Sequence, residues 1–227
     1  VIMRTPGADA DLVAGFLFTE GVVRGAADIA RIDAGQTSNV VDVALARERA
    51  AIVPDLLAGR RQVAMNSSCG MCGRRSLESL AVDAPPLAVR WRVAGATIAE
   101  LPDRLRGAQL AFAETGGLHA AGVFDTAGGL QLSAEDVGRH NAVDKLLGRL
   151  LMAGRLPLED SLLFVSGRSS FEIVQKAFLG GLPLIAAVSA PSSLAIQLAN
   201  EAGITLLGFV RGDRFNIYTH PERVRLD

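Results

Sequence analysis

Leu12, Val13, Phe16 and Leu17 recur at helical spacing behind Asp9, and Gly21 ends the run. A helix capped by Asp9 is therefore expected after the Thr5-Pro6-Gly7 break. Residues 38–46 read as a strand, 47–59 as a charged helix, and 61–66 as a short strand. That strand leads into a loop of small residues, and 74–80 then read as an amphipathic helix. Residues 81–98, with Pro85-Pro86 and Trp91, read as a connector and a strand, and a helix follows from Glu100 to Ala113. Beyond Thr115-Gly116-Gly117 strands alternate with helices. Strands are expected at 118–124, 129–134, 161–165, 184–188, 204–210 and 214–218, and helices at 139–153, 170–180 and 192–202. The unbroken apolar runs at 162–165 and 184–188 suit strands covered on both faces. The pattern predicts an α/β fold with a mainly parallel mixed sheet across 81–227 and a small α+β domain over 1–80.

Bulk properties narrow the function. The formal net charge of the 227 residues is -1, which gives no electrostatic case for nucleic acid. Charged residues or glycine interrupt every apolar run before it reaches the length of a membrane span. Two cysteines are too few for a secreted disulfide scaffold, so a cytoplasmic location is expected. The start at Val1-Ile2-Met3-Arg4, without an initiator Met, reads as a fragment lacking its N-terminal segment.

Both cysteines fall in Ser67-Ser68-Cys69-Gly70-Met71-Cys72-Gly73. A helix N-terminus and Arg74-Arg75 beside Cys72 favour thiolate over thiol. Three readings compete: a structural zinc site, a dithiol redox pair and a persulfide carrier. Zinc needs two further ligands, and His119, His140 and His220 form no H-x₃₋₅-H pair, so no metal site is expected. Zinc-dependent deamination needs Glu two residues after a ligand His; Ala121 stands there.

The predicted strands end in polar clusters. These are Glu135-Asp136-Val137-Gly138-Arg139-His140-Asn141, Ser166-Gly167-Arg168-Ser169-Ser170, Ser189-Ala190-Pro191-Ser192-Ser193 and Arg211-Gly212-Asp213-Arg214. Each turn taken singly is an ordinary helix cap. Their convergence at one end of a sheet instead offers backbone N–H groups and guanidiniums to a phosphorylated ligand. Asp136 and Asp213 are candidates to read a guanine edge, and His119 either contacts ligand or is a hydrogen-bonded strand-start histidine.

Taken together, S-S-C-G-M-C-G at 67–73, T-G-G-L-H-A-A at 115–121, E-D-V-G-R-H-N-A-V-D-K at 135–145, S-G-R-S-S-F-E at 166–172 and G-F-V-R-G-D-R-F-N-I-Y-T-H-P-E-R at 208–223 resemble the formate dehydrogenase accessory sulfurtransferase family (FdhD). The resemblance implies a cytidine-deaminase-like domain without zinc and a typically homodimeric protein. It implies a sulfurtransferase that takes persulfide sulfur from a cysteine desulfurase. The acceptor is the bis-molybdopterin guanine dinucleotide molybdenum cofactor, sulfurated before insertion into formate dehydrogenase, and GDP-like nucleotides are expected to occupy the same site. Cys69 matches the persulfide cysteine and Cys72 is a second thiol. Phe209, Val210, Arg211, Gly212, Asp213 and Arg214 match the cofactor-binding stretch. His119, Asp136, Gly138, Arg139, His140, Ser166, Gly167, Arg168 and Ser192 join it from the strand-end reading. The rivals are a non-catalytic cofactor chaperone and a dithiol oxidoreductase.

Overall fold

The computed structural model describes residues 1–35, 39–58 and 85–226. The expected strand at 61–66, the cysteine loop with Cys69 and Cys72, the helix at 74–80 and the division at 80/81 all lie outside the described residues.

Helix α1 (Asp9–Thr19) opens the chain. Its N-cap is Ala8 at φ 54, with no side-chain cap. Asp9 instead faces Arg4 through two bonds of 2.8 and 2.7 Å, a bidentate pairing, so the expected capping role is corrected. Strands β1 (Ile29–Ala34) and β2 (Val41–Leu45) form an antiparallel hairpin before α2 (Arg47–Ala58). The sequence pattern missed β1 because only Ile29 of its six residues is buried, which leaves no alternation to detect.

The larger unit runs through β3 (Val93–Ala94), α3 (Gly95–Arg106), α4 (Leu110–Thr115), β4 (His119–Asp125), β5 (Leu130–Asp136), α5 (Arg139–Met152), β6 (Ser161–Val165), α6 (Phe171–Leu179), β7 (Leu184–Ala187), α7 (Ser193–Glu201), β8 (Thr205–Arg211), β9 (Arg214–Thr219) and β10 (Val224–Arg225). The single helix expected from Glu100 to Ala113 is two helices. Gly107 caps α3, and Gln109 at φ -89, ψ 73 leaves helical geometry before α4 begins.

Six strands form one mixed sheet in the order β5-β4-β6-β7-β8-β9. Pairing is parallel from β6 through β7 to β8 and antiparallel elsewhere. Every residue of β6 and β7 is buried, because helices cover both faces. Leu163 and Val165 point to the core with α5, α6 and α7, whereas Leu162 and Phe164 point to the core with α3. That two-residue alternation inside a continuous apolar run is what burial on both faces demands.

The first helix is packed into this larger unit. A Cβ at Gly15 would overlap the Asp144 carbonyl, and one at Gly148 would overlap the Asp11 carbonyl, so α1 and α5 meet backbone to backbone. Among the described residues no helix is long and apolar enough to cross a membrane.

Candidate functional site

The register sets which ends meet. His119 pairs with Asp136 and Ala121 with Val165, so the start of β4, the end of β5 and the end of β6 share one edge of the sheet. The loop after β7 joins them there. Ser169 bridges Pro191, and the Ser192 N–H donates to the Ser169 carbonyl at 3.0 Å. Helices α5 and α6 start at this edge with their N-termini exposed to it, which favours negative charge.

The run from Asp136 to Lys145 separates into two groups. Asp136 is fully buried and pairs with Lys145 at 2.7 Å. Its oxygens also accept from Thr5 N–H at 3.1 Å, Gly138 N–H at 2.8 Å and Asn141 Nδ2 at 2.9 Å. A carboxylate so occupied has nothing left for a guanine edge, and the base-reading role expected for Asp136 is corrected to a clamp on residues 3–5. Asn141 Nδ2 reaches the Met3 carbonyl at 2.8 Å, and Thr5 Oγ1 accepts from Val137 N–H at 2.9 Å. Gly138 is the α5 N-cap, where a side chain would collide with Asn141.

Arg139 and His140, in contrast, lie on the site. Burial, then the neighbouring Arg139 and Arg168 guanidiniums, lower the His119 pKa below its ordinary value. His140 is lowered further, to about 3, first by burial and then by Arg139, Lys176 and His119. Both imidazoles are thus neutral near pH 7 in a field set by two guanidiniums. His140 Nε2 lies 2.8 Å from Ser170 Oγ and 3.8 Å from Glu172 Oε2. Gly167 makes the crowding possible, since a Cβ there would stand 3.3 Å from His119 Nδ1 and 3.6 Å from Arg139 Cδ.

Two polar groups here are buried without hydrogen-bond partners among the described residues. They are Ser169 Oγ, on a residue only 1% exposed, and both oxygens of Glu172. Unsatisfied buried oxygens are costly, and their concentration at one sheet edge marks a place built for something other than stability. The sequence reading did not single out Glu172, because an acidic residue in the first turn of a helix is ordinarily a dipole partner.

The structure gathers His119, Arg139, His140, Ser166, Gly167 and Arg168 in one place, although Ser166 Oγ is engaged by Ala120 N–H at 2.8 Å. Arg168 is exposed. Other expected residues have different occupations. Val210 is 1% exposed and belongs to the α3-side core, which corrects its assignment to a binding surface. Ser192 caps α7 by accepting from Ala195 N–H at 3.2 Å. Arg211, Gly212, Asp213 and Arg214 form the exposed β8–β9 turn, where the Asp213 and Arg214 side chains are 93% and 90% exposed. Phe209 adopts φ 55, a strained conformation for a bulky residue, and its N–H reaches the Ser189 carbonyl at 3.3 Å.

Beside His119, on the α3–α4 side, lies a cavity of about 350 Å³. Leu105, Phe112, Phe164 and Val188 line it, together with Arg106, Gln109, Ser166 and Gly116-Gly117. The Arg106 guanidinium sits over the Phe112 ring, 5.9 Å from its centroid. The sequence pattern hides this cavity, because apolar periodicity predicts one continuous helix across Gln109, where the chain breaks between α3 and α4.

Comparison with known proteins gives a consistent result. The model of the FdhD/NarQ family matches residues 1–225. A Streptomyces avermitilis protein named sulfur carrier protein FdhD is 48% identical over 241 residues, covering 100% of this chain and 83% of the relative. The Sulfurisphaera tokodaii protein of the same name is 47% identical over 224 residues, covering 99% of this chain and 83% of that one. A crystal structure described as a formate dehydrogenase accessory protein from Desulfotalea psychrophila superposes with a TM-score of 0.75 at 28% identity. It covers 98% of this chain and 82% of that one.

Proposed function

Because the chain belongs to the FdhD/NarQ family, we propose that it is a sulfur carrier serving formate dehydrogenase, with a persulfide on Cys69 as the carried form. A cysteine desulfurase supplies the sulfur. The Cys69 thiolate attacks the donor's terminal sulfur, the donor cysteine leaves as thiolate, and no net oxidation occurs in the exchange. The acceptor is the bis-molybdopterin guanine dinucleotide molybdenum cofactor, which is cargo and substrate. Cys72 is the second thiol that assists release or protects the pair. The working form is a cytoplasmic homodimer.

The observation that carries this reading is the strand-end cluster. Two guanidiniums, two neutral imidazoles and two helix N-termini around Gly167 make a receptor for a diphosphate. Such groups bind phosphate oxygens through charge-assisted bonds. Among the described residues, no cluster of three or more His, Cys, Asp or Glu that could hold a metal ion is present.

The test follows sulfur and nucleotide separately. Incubation with a desulfurase and cysteine is expected to add roughly 32 Da to Cys69, the mass of one persulfide sulfur. Wild-type protein is expected to bind GDP. A Cys69→Ala chain that still restores formate dehydrogenase activity would sink the carrier role and leave a cofactor chaperone. Turnover of a disulfide substrate by the Cys69–Cys72 pair, with no mass gain, would establish a dithiol oxidoreductase instead.

A further inference from the structure

We propose that the cavity beside His119 holds the flat heterocycle of the ligand, and that Gln109 reads the lactam edge common to guanine and pterin. This rests on the nucleotide-bearing ligand proposed above, and goes beyond it by naming a base subsite and the residue that sets its specificity.

The location comes from continuity. His119 lines the cavity and also faces Gly167 beside Arg139, since a Gly167 Cβ would stand 3.3 Å from His119 Nδ1 and 3.6 Å from Arg139 Cδ, so the apolar walls and a guanidinium adjoin the same imidazole. About 350 Å³ lies in the lower part of the range usual for small-molecule pockets, which suits a ring system with its phosphates outside. The walls suit a ring as well. Leu105 and Phe164 are each 1% exposed, and Phe112 carries a guanidinium over its face, an arrangement that favours stacking of a planar base.

An apolar slot alone would not choose among rings. Gln109 adds the choice. It is 7% exposed, lines the cavity, and its side-chain amide makes no hydrogen bond among the described residues. An amide presents an acceptor and a donor side by side. A lactam presents the complementary pair, a ring N–H beside a carbonyl. Guanine and pterin both carry that 2-amino-4-oxopyrimidine edge. Asp136, the residue first expected to read it, is occupied by Lys145.

The experiment uses the full chain and isothermal titration with three probes: GDP, inorganic diphosphate and 6-hydroxymethylpterin. Gln109→Leu is expected to weaken GDP roughly tenfold, the loss of one or two neutral hydrogen bonds, while diphosphate binding stays at the wild-type value. Retained diphosphate binding also shows that the variant is folded. A second measurement needs no variant: addition of GDP to wild-type protein should shift the Gln109 side-chain NH₂ signals in an ¹⁵N NMR spectrum. If Gln109→Leu binds GDP as wild type does and those signals do not move, the base subsite is overturned while the diphosphate site stands. If wild type binds neither GDP nor diphosphate, the nucleotide reading itself fails. The pterin arm assigns the source. Pterin that binds wild type alongside diphosphate, and is lost in Gln109→Leu, makes the pterin half the occupant; GDP weakened with no pterin binding makes it guanine.

Discussion

Helices α5 and α6 each carry two sets of charges about one turn apart, and the sets are treated in opposite ways. In the inner set, Lys176 Nζ reaches both Asp144 oxygens at 2.7 and 2.9 Å, and Thr19 Oγ1 links them by accepting from Lys176 at 2.8 Å and donating to Asp144 at 2.9 Å. All three residues are 5% exposed or less. Burial pushes the Asp144 carboxyl up, against the pull of the Lys176 ammonium and the two hydrogen bonds. In the outer set, at the helix starts, Arg139 and His140 crowd against His119 and Arg168, and Glu172 keeps two oxygens without a hydrogen-bond donor among the described residues. The inner polar network is complete, whereas the outer one leaves Ser169 Oγ and the Glu172 oxygens without hydrogen-bond partners among the described residues.

The largest effect should come from breaking the inner set. Lys176→Met strands a buried carboxylate and is expected to cost about 3–5 kcal/mol of unfolding free energy. The double change Asp144→Leu with Lys176→Met should recover most of that. Urea unfolding measures both, and a single variant as stable as wild type would show that the pair is not a lock.

Next in size is a pH effect. His140 is neutral in the folded chain down to about 3, whereas its unfolded value is 6.5. Between those values the unfolded chain binds the extra proton, so the stability contributed by the neutral form is present above pH 6.5 and is lost as pH falls. This one group should remove stability by about 1.4 kcal/mol per pH unit in that window. Asp144, shifted the other way, contributes the opposite slope at its own titration, so the comparison must be made by difference. Wild type minus His140→Gln, measured from about pH 7 to about pH 5, should show the slope; parallel curves would place His140 outside the cluster.

The smallest effect on stability should come from the outer set itself. Arg168→Ala is expected to change unfolding free energy by less than about 0.5 kcal/mol, since the residue is exposed. It should weaken diphosphate binding by about 1.5–3 kcal/mol, a charge-assisted bond lost. Unchanged titration would remove Arg168 from the site. Gly167→Ala sharpens the same contrast: its Cβ presses on His119 Nδ1 at 3.3 Å, so binding should suffer more than folding.

Much of the molecule was legible in the chain. The apolar runs of β6 and β7, the helix periods of α5, α6 and α7, and the polar turns after the strands all follow from local chemistry, which is short-ranged and repeats at 2 or 3.6 residues. The family also showed in the motifs, because Asp136-Val137-Gly138-Arg139-His140-Asn141-Ala142-Val143-Asp144-Lys145 is specific as a string. What the string does not reveal is direction. Asp136 and Arg139 are three residues apart and both look fit to meet a ligand, yet one turns inward to Lys145 and the other stays at the sheet edge. Only packing distinguishes them, since a carboxylate is consumed or available according to which amine the fold brings within 3 Å. The same holds for Val210, polar in its company but buried by β-strand alternation, and for Gln109, set beside a cavity by a break between α3 and α4. Sequence determined which chemistry the chain carries, because that is covalent; tertiary structure decided which of it remains unspent, because that depends on neighbours distant along the chain.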